Sequence, residues 1–171
     1  MPTVVLFALG LGMMLLEGAL LAAFSIEGWT LSTPLALAIY LGLERGLTSG
    51  GPVLVGWLLP VEWMVAAVPG TYTLGLVVVF MVMCLFGKEV QSGWGVSRGV
   101  IAFLGGLLHG GVLALTLMVL RDVDGALVAA VGWKMWSASV LVAVVTIVMG
   151  KGFARVERVI DPRKGRRGLE L

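Results

Sequence analysis

Four ionisable side chains lie within or beside the long apolar stretches of this sequence: Glu17, Glu62, His109 and Lys134. A charged group inside a bilayer costs roughly 2.5–3.5 kcal/mol on insertion scales, so such groups usually face protein or water. The four could form ion pairs within the protein, present a polar patch to a partner, or line a transport path. We favour pairing of Lys134 with Glu17 or Glu62, because all three are expected in the outer half of the membrane.

Metal and catalytic chemistry have little support in the sequence. His109 is the one histidine, and a histidine without further ligands is a weak metal site, so we expect a hydrogen bond between helices. Cys84 is the one cysteine, so no disulfide can form within the chain. The serines lack the histidine–acid arrangement of a hydrolase. We therefore predict no enzymatic activity, no cofactor and no metal.

Gly106 and Gly110 form a GxxxG pair in the fifth apolar stretch. Small residues four positions apart let two helix backbones approach closely in a membrane. The pair therefore predicts close packing, either within the protein or against a partner helix.

The elements that must position these residues are six apolar stretches within residues 3–150. Hydrophobic residues make up 59% of the 171 residues and the mean hydropathy is +1.05, which is more apolar than a water-soluble domain requires. Several stretches approach or exceed the roughly 20 residues that cross a bilayer as a helix. We predict an all-α integral membrane protein with six transmembrane helices. The second stretch, 31–43, is short, and Pro60 is expected to kink the third, which spans about 53–68.

Basic residues are distributed unequally between the segments that join these stretches. If both termini face the cytoplasm, only Arg121 falls in an outer loop, and Lys134 falls within a span. The remaining ten of the 12 basic residues then lie on the cytoplasmic side: Arg45, Lys88, Arg98, Lys151, Arg155, Arg158, Arg163, Lys164, Arg166 and Arg167. This is a strong positive-inside pattern, so we predict that the N-terminus and the C-terminus are both cytoplasmic.

We divide the chain into a six-helix transmembrane domain, residues 1–150, and a basic juxtamembrane tail in the cytoplasm, residues 151–171. The net charge of +2 and the isoelectric point near 9.0 come largely from this tail. Because the tail adjoins a membrane, we expect Lys164, Arg166 and Arg167 to bind anionic lipid headgroups and not nucleic acid.

A series of short motifs runs from the second apolar stretch into the fourth. In order, they are the proline-led segment 34–40, Arg45-Gly46, Gly56-Trp57, Glu62, Pro69-Gly70 and Leu74-Gly75-Leu76. This series resembles the MreD family of bacterial rod-shape-determining proteins over about residues 31–90, and the six-span plan extends the likeness to residue 150. The family tends to place an aspartate after its glycine-containing helix, where this chain has Glu62, preceded by Pro60.

The resemblance implies a non-enzymatic scaffold of the elongasome, the inner-membrane machinery for peptidoglycan synthesis and cell shape. Such a scaffold would bind an MreC-like protein with one transmembrane helix and a periplasmic coiled coil, and through it cell-wall synthases and cytoplasmic actin-like filaments. The MreD fold is also related to the substrate-binding (S) subunits of energy-coupling-factor vitamin transporters.

That relationship gives an alternative function, in which an outward-facing pocket would be lined by Trp29, Trp57, Trp63, Glu17, Glu62 and Lys134. The short outer loops leave little material for a ligand lid and favour the scaffold. A subunit of another membrane complex stays open as a third interpretation.

Overall fold

The computed structural model describes residues 3–23, 32–65, 70–87, 96–121 and 125–160, and for residues 3, 65, 96, 120–121, 125–134, 154 and 157–160 it describes the course of the helix alone. Within these ranges the fold is entirely helical, as the composition predicts. The six helices, in chain order, are α1 (Thr3–Ala23), α2 (Thr33–Glu44), α3 (Gly46–Val65), α4 (Thr71–Phe86), α5 (Val96–Arg121) and α6 (Gly125–Ile160).

Three of the helices are long and apolar enough to cross a membrane. The qualifying segments are Val4–Ala23 in α1, Ser97–Val119 in α5 and Met135–Phe153 in α6. Helices α2 and α4 are apolar but shorter, with 12 and 16 residues. At about 1.5 Å per residue they span roughly 18 and 24 Å. These features support the predicted membrane character, while six crossings and their sidedness stay predictions.

The short helix α2 forms the centre of the bundle. It packs against all five other helices, and every residue from Thr33 to Leu43 is buried. Gly42 allows the closest approach, because a Cβ at this position would lie only 2.6 Å from the Met83 Cβ of α4. A helix enclosed by protein on all sides need not match the thickness of the hydrocarbon layer. The shortness of the predicted second span therefore has a structural reason.

Helix α3 follows α2 after a single residue, Arg45. Gly46, the first residue of α3, has a φ of +64°, a left-handed conformation that glycine adopts without a clash from Cβ. The sequence predicted that the third span begins near residue 53, but this is wrong, because α3 already begins at Gly46. The helix also continues through Pro52 and Pro60, so neither proline ends it.

Helix α6 extends past the predicted end of the transmembrane domain at residue 150. It continues without a break to Ile160. Phe153 is buried, and its ring centroid lies 4.9 Å from that of Tyr40 in α2. The first part of the predicted tail is therefore a helical extension that packs against the centre of the bundle.

The outward faces of the helices carry large apolar side chains. More than half of each of the following is exposed: Leu16 on α1, Leu59 on α3, Leu85 on α4, Leu115 on α5 and Val148 on α6. An apolar surface on several sides of a small bundle is unusual for a protein surrounded by water. It is the surface that a hydrocarbon environment requires.

Candidate functional site

Glu17 of α1 binds the N-terminus of α2. Its Oε1 accepts hydrogen bonds from the Ser32 backbone N–H at 2.9 Å and from the Ser32 hydroxyl at 2.6 Å, and its Oε2 accepts one from the Thr33 N–H at 2.9 Å. The first N–H groups of a helix have no partner within the helix, and the positive end of the helix dipole favours a carboxylate. Because Ser32 forms no side-chain cap within α2, Glu17 serves as the cap from a different helix.

Glu62 of α3 plays the same part for α4, with fewer hydrogen bonds. Its Oε1 accepts a hydrogen bond from the backbone N–H of Gly70, which immediately precedes α4. Gly70 has a φ of +86°, so the chain enters α4 through a conformation that favours glycine. The Oε2 atom of Glu62 is buried and accepts no hydrogen bond from the part of the chain that the structure describes. Each glutamate thus holds the start of the next helix.

His109 of α5 packs against α4. The side chain is buried, and its ring meets the ring of Tyr72 edge to face, with 4.7 Å between the centroids. This ring contact joins α5 to α4, and the predicted interhelical hydrogen bond of His109 stays a prediction. Its Nε2 is buried and has no hydrogen-bond partner among the described residues. Gly75 makes this contact possible, because a Cβ there would lie 2.6 Å from the His109 Cδ2.

These contacts form a polar layer near the starts of α2 and α4. Glu17 links α1 to α2, Glu62 links α3 to the start of α4, and the contact between Tyr72 and His109 links α4 to α5. Within the described ranges, no group of three or more histidine, cysteine, aspartate or glutamate side chains could hold a metal ion. The carboxylate of Glu17 acts here as a fixed hydrogen-bond acceptor that positions helix ends.

The predicted ion pair with Lys134 is not tested by these contacts. Lys134 lies in α6, but its side chain is outside the part of the chain that the structure describes. Glu17 and Glu62 both accept hydrogen bonds from helix N-termini, so a lysine partner is not needed to explain them. The pairing stays a prediction, and the three tail residues Lys164, Arg166 and Arg167 also lie outside the described residues.

Sequence reasoning missed an ion pair at the other end of α2. Arg98, near the start of α5, donates a hydrogen bond to the carboxylate of Glu44, the last residue of α2. A negative charge at a helix C-terminus is unfavourable, and the buried Arg98 side chain offsets it. The sequence could have indicated this ion pair, because the predicted topology placed both residues at the same membrane surface. Both ends of α2 are therefore held by charged side chains of other helices.

Gly106 and Gly110 face α6. A Cβ at Gly106 would lie 2.8 Å from the Ser139 Oγ, and a Cβ at Gly110 would lie 2.4 Å from the Met135 Cε. The absence of side chains at both glycines therefore permits the close contact between α5 and α6. Of the two alternatives that the GxxxG spacing left open, the structure shows packing within the bundle.

The tryptophans of the transporter alternative lie in different surroundings. Trp57 is buried, and its Nε1 donates a hydrogen bond to the Phe7 carbonyl at 3.2 Å, which fastens α3 to α1. Trp63 is 88% exposed and faces away from the bundle. Trp29 lies outside the described residues. Trp57 and Trp63 therefore do not line one pocket.

Comparison of the chain with protein-family models, with curated proteins and with solved structures gives no match.

Proposed function

We propose that this protein is a non-enzymatic scaffold subunit in the bacterial inner membrane, and that it serves the cell-wall elongation machinery as the resemblance to the MreD family implies. The observation that carries the proposal is that the interior of the bundle is filled by a helix and that its acidic side chains bind helix ends. Helix α2 fills the centre, and Glu17 and Glu62, the acids of the apolar stretches, bind helix N-termini.

A carboxylate engaged in this way is poorly suited to transport or catalysis. Both oxygens of Glu17 accept hydrogen bonds from backbone N–H groups, and one accepts a further bond from a hydroxyl. A group that bound a cation or a substrate would have to give up these bonds and leave the start of α2 without partners. This cost favours a structural role for Glu17 over a role in a transport path.

The outward faces are the surfaces left for a partner. Helix association in a membrane depends on close packing and on interhelical polar contacts, because lipid tails are as apolar as the helices. The faces that carry Leu16 of α1, Leu59 of α3 and Leu115 of α5 are exposed and apolar. We propose that the single transmembrane helix of an MreC-like protein packs along one of them.

The test is crosslinking in the native membrane. A photoreactive residue would replace Leu16, Leu59, Leu85 or Leu115 in separate strains, and each position serves as a control for the others because all four face outward. We expect one face to crosslink to a single-span protein with a coiled coil, and depletion of the chain to give rounded or widened cells. Normal cell shape after depletion, with no such partner at any face, would overturn the proposal.

The S subunit of a vitamin transporter is the second candidate. It is favoured by the buried polar layer, and above all by the His109 Nε2 that has no hydrogen-bond partner among the described residues. Purification of the chain with a stoichiometric vitamin would support this alternative against the scaffold.

A further inference from the structure

A second surface, independent of the scaffold role, lies on the outward face of α6. Val140, Val144 and Val148 follow one another at intervals of four residues, and they are 53%, 52% and 63% exposed. Residues three or four apart share a helix face, so this face continues at Lys151 and Arg155, which are also exposed. The apolar part of the face therefore changes to a basic part within one turn after Val148.

The opposite face of α6 remains packed over the same turns. Met149 and Phe153 are buried, and Phe153 contacts Tyr40 of α2. Helix α6 is thus held against the bundle where Lys151 and Arg155 project, so the two cations keep a fixed position relative to the valines. They also flank the end of the membrane-crossing segment, Met135–Phe153, which is where lipid headgroups would lie.

Gly152 lies beside the two cations on the same turn of α6. A Cβ at Gly152 would have no atom within 4 Å, so no neighbouring side chain covers this position. Lysine and arginine can extend their apolar stems along a helix while their charged ends reach a phosphate. Arginine can also form two parallel hydrogen bonds to phosphate oxygens.

We propose that this face of α6 is a binding site for one anionic phospholipid. An acyl chain lies along Val140, Val144 and Val148, and the headgroup phosphate binds Lys151 and Arg155 beside Gly152. The combination of an apolar track with a cationic end distinguishes a lipid from a soluble anion, which would use the cations alone.

The first experiment compares lipid binding by the full chain and its variants in detergent, by native mass spectrometry with added phosphatidylglycerol or phosphatidylcholine. We expect the wild type to prefer phosphatidylglycerol. The double variant K151Q/R155Q should weaken phosphatidylglycerol binding by about fivefold for each charge removed, because each cation near an anionic membrane surface contributes about 1 kcal/mol. Binding of phosphatidylcholine should not change.

Two further variants separate this site from general charge effects. The tail variant K164Q/R166Q/R167Q removes more charge, and because the tail is also expected to attract anionic lipid, it should weaken phosphatidylglycerol binding, but less than K151Q/R155Q does. A larger loss in the tail variant than in K151Q/R155Q would overturn the proposal. Gly152→Leu keeps both cations but fills the open space, and it should weaken phosphatidylglycerol binding about as much as the double variant. Gly12→Leu on α1, another glycine with nothing near its Cβ position, is the matched control and should bind normally.

Two outcomes would contradict binding of a lipid by the cations. Equal competition by soluble glycerol phosphate would mean that the cations bind phosphate without the acyl chain. Unchanged phosphatidylglycerol binding by K151Q/R155Q would mean that the two cations do not hold the lipid. Either result overturns the lipid site, and neither bears on the crosslinking test of the scaffold, which probes α1, α3, α4 and α5.

Discussion

Glu17 and Glu62 both accept hydrogen bonds from the start of a following helix, but they accept different numbers of them. Each lies on one helix and accepts hydrogen bonds at the start of the next helix. Glu17 uses both oxygens and accepts three hydrogen bonds, two of them from Ser32 and one from Thr33. Glu62 accepts one from Gly70, and its second oxygen is buried without a partner among the described residues.

The difference follows from what each helix start needs. The start of α2 is buried, with Ser32 and Thr33 only 5% and 6% exposed, so water has little access to its first N–H groups and an acceptor from the protein stabilises them. The hydrogen bond of Glu62 to Gly70 lies in an exposed position, where water can replace it. We therefore expect each acid to contribute more to the stability of the protein where the helix start that it binds is less accessible to water. The following predictions test this ranking.

Replacement of Glu17 by alanine should have the largest effect. The substitution removes three hydrogen bonds and leaves buried donors without an acceptor, so we expect a loss of about 3 kcal/mol in the free energy of unfolding. Thermal unfolding in detergent, followed by size-exclusion chromatography, would measure the loss. Amide hydrogen exchange should increase at Ser32 and Thr33 and not at Gly70. Equal increases at both helix starts would contradict separate roles for the two acids.

Glutamine substitutions should separate the two acids most clearly. Glu17→Gln replaces one acceptor oxygen by an NH₂ group that faces a backbone N–H, so we expect a loss of about 2 kcal/mol. Glu62→Gln keeps the acceptor for Gly70 and replaces the oxygen that lacks a partner, so its stability should stay within about 0.5 kcal/mol of the wild type. The same unfolding assay measures both. Similar losses for the two variants would show that both oxygens of Glu62 are needed.

Removal of the Ser32 hydroxyl should have an intermediate effect. Ser32→Ala deletes the 2.6 Å hydrogen bond to Glu17 but keeps both backbone donors, so we expect a loss of about 1 kcal/mol. A double-mutant cycle with Glu17→Ala provides the control. If the two effects simply add, the hydroxyl and the carboxylate are not coupled in the way that the geometry indicates.

Replacement of Glu62 by alanine should have the smallest effect of the alanine variants. One hydrogen bond in an exposed position is lost, so we expect a decrease of about 0.5 kcal/mol in stability. Hydrogen exchange should increase at Gly70 and leave Ser32 and Thr33 unchanged. A loss as large as that of Glu17→Ala would reverse the ranking.

Part of this site could be predicted from the sequence. The second apolar stretch and its proline-led segment 34–40 predict a helix, and α2 does begin at Thr33 with Pro34 in its first turn. Glu17 and Glu62 were identified as acids that require partners. Their observed partners were not identified, because pairing by charge alone pointed to Lys134 and gave no weight to helix N-termini as positive groups.

The sequence predicted a close helix contact at the two glycines of the GxxxG pair, and the structure identifies the helix that makes it. The spacing of Gly106 and Gly110 indicates a close helix contact but does not name the neighbour. The neighbour is α6, at Ser139 and Met135, and this choice depends on how six helices share one volume. The early start of α3 was missed because Gly50, Gly51 and Pro52 are usual signals for a loop, whereas here they lie within a helix.

The sequence by itself determined that the chain is apolar and helical, and it located the few polar side chains that such a chain must accommodate. These properties depend on local composition and spacing, which no packing arrangement can change. Only the tertiary structure decided that the shortest helix lies at the centre, with Glu17 at one end and Arg98 at the other. The physical reason is that a buried helix end must find its partners on other helices, and their identity depends on which segments distant in sequence become neighbours in space.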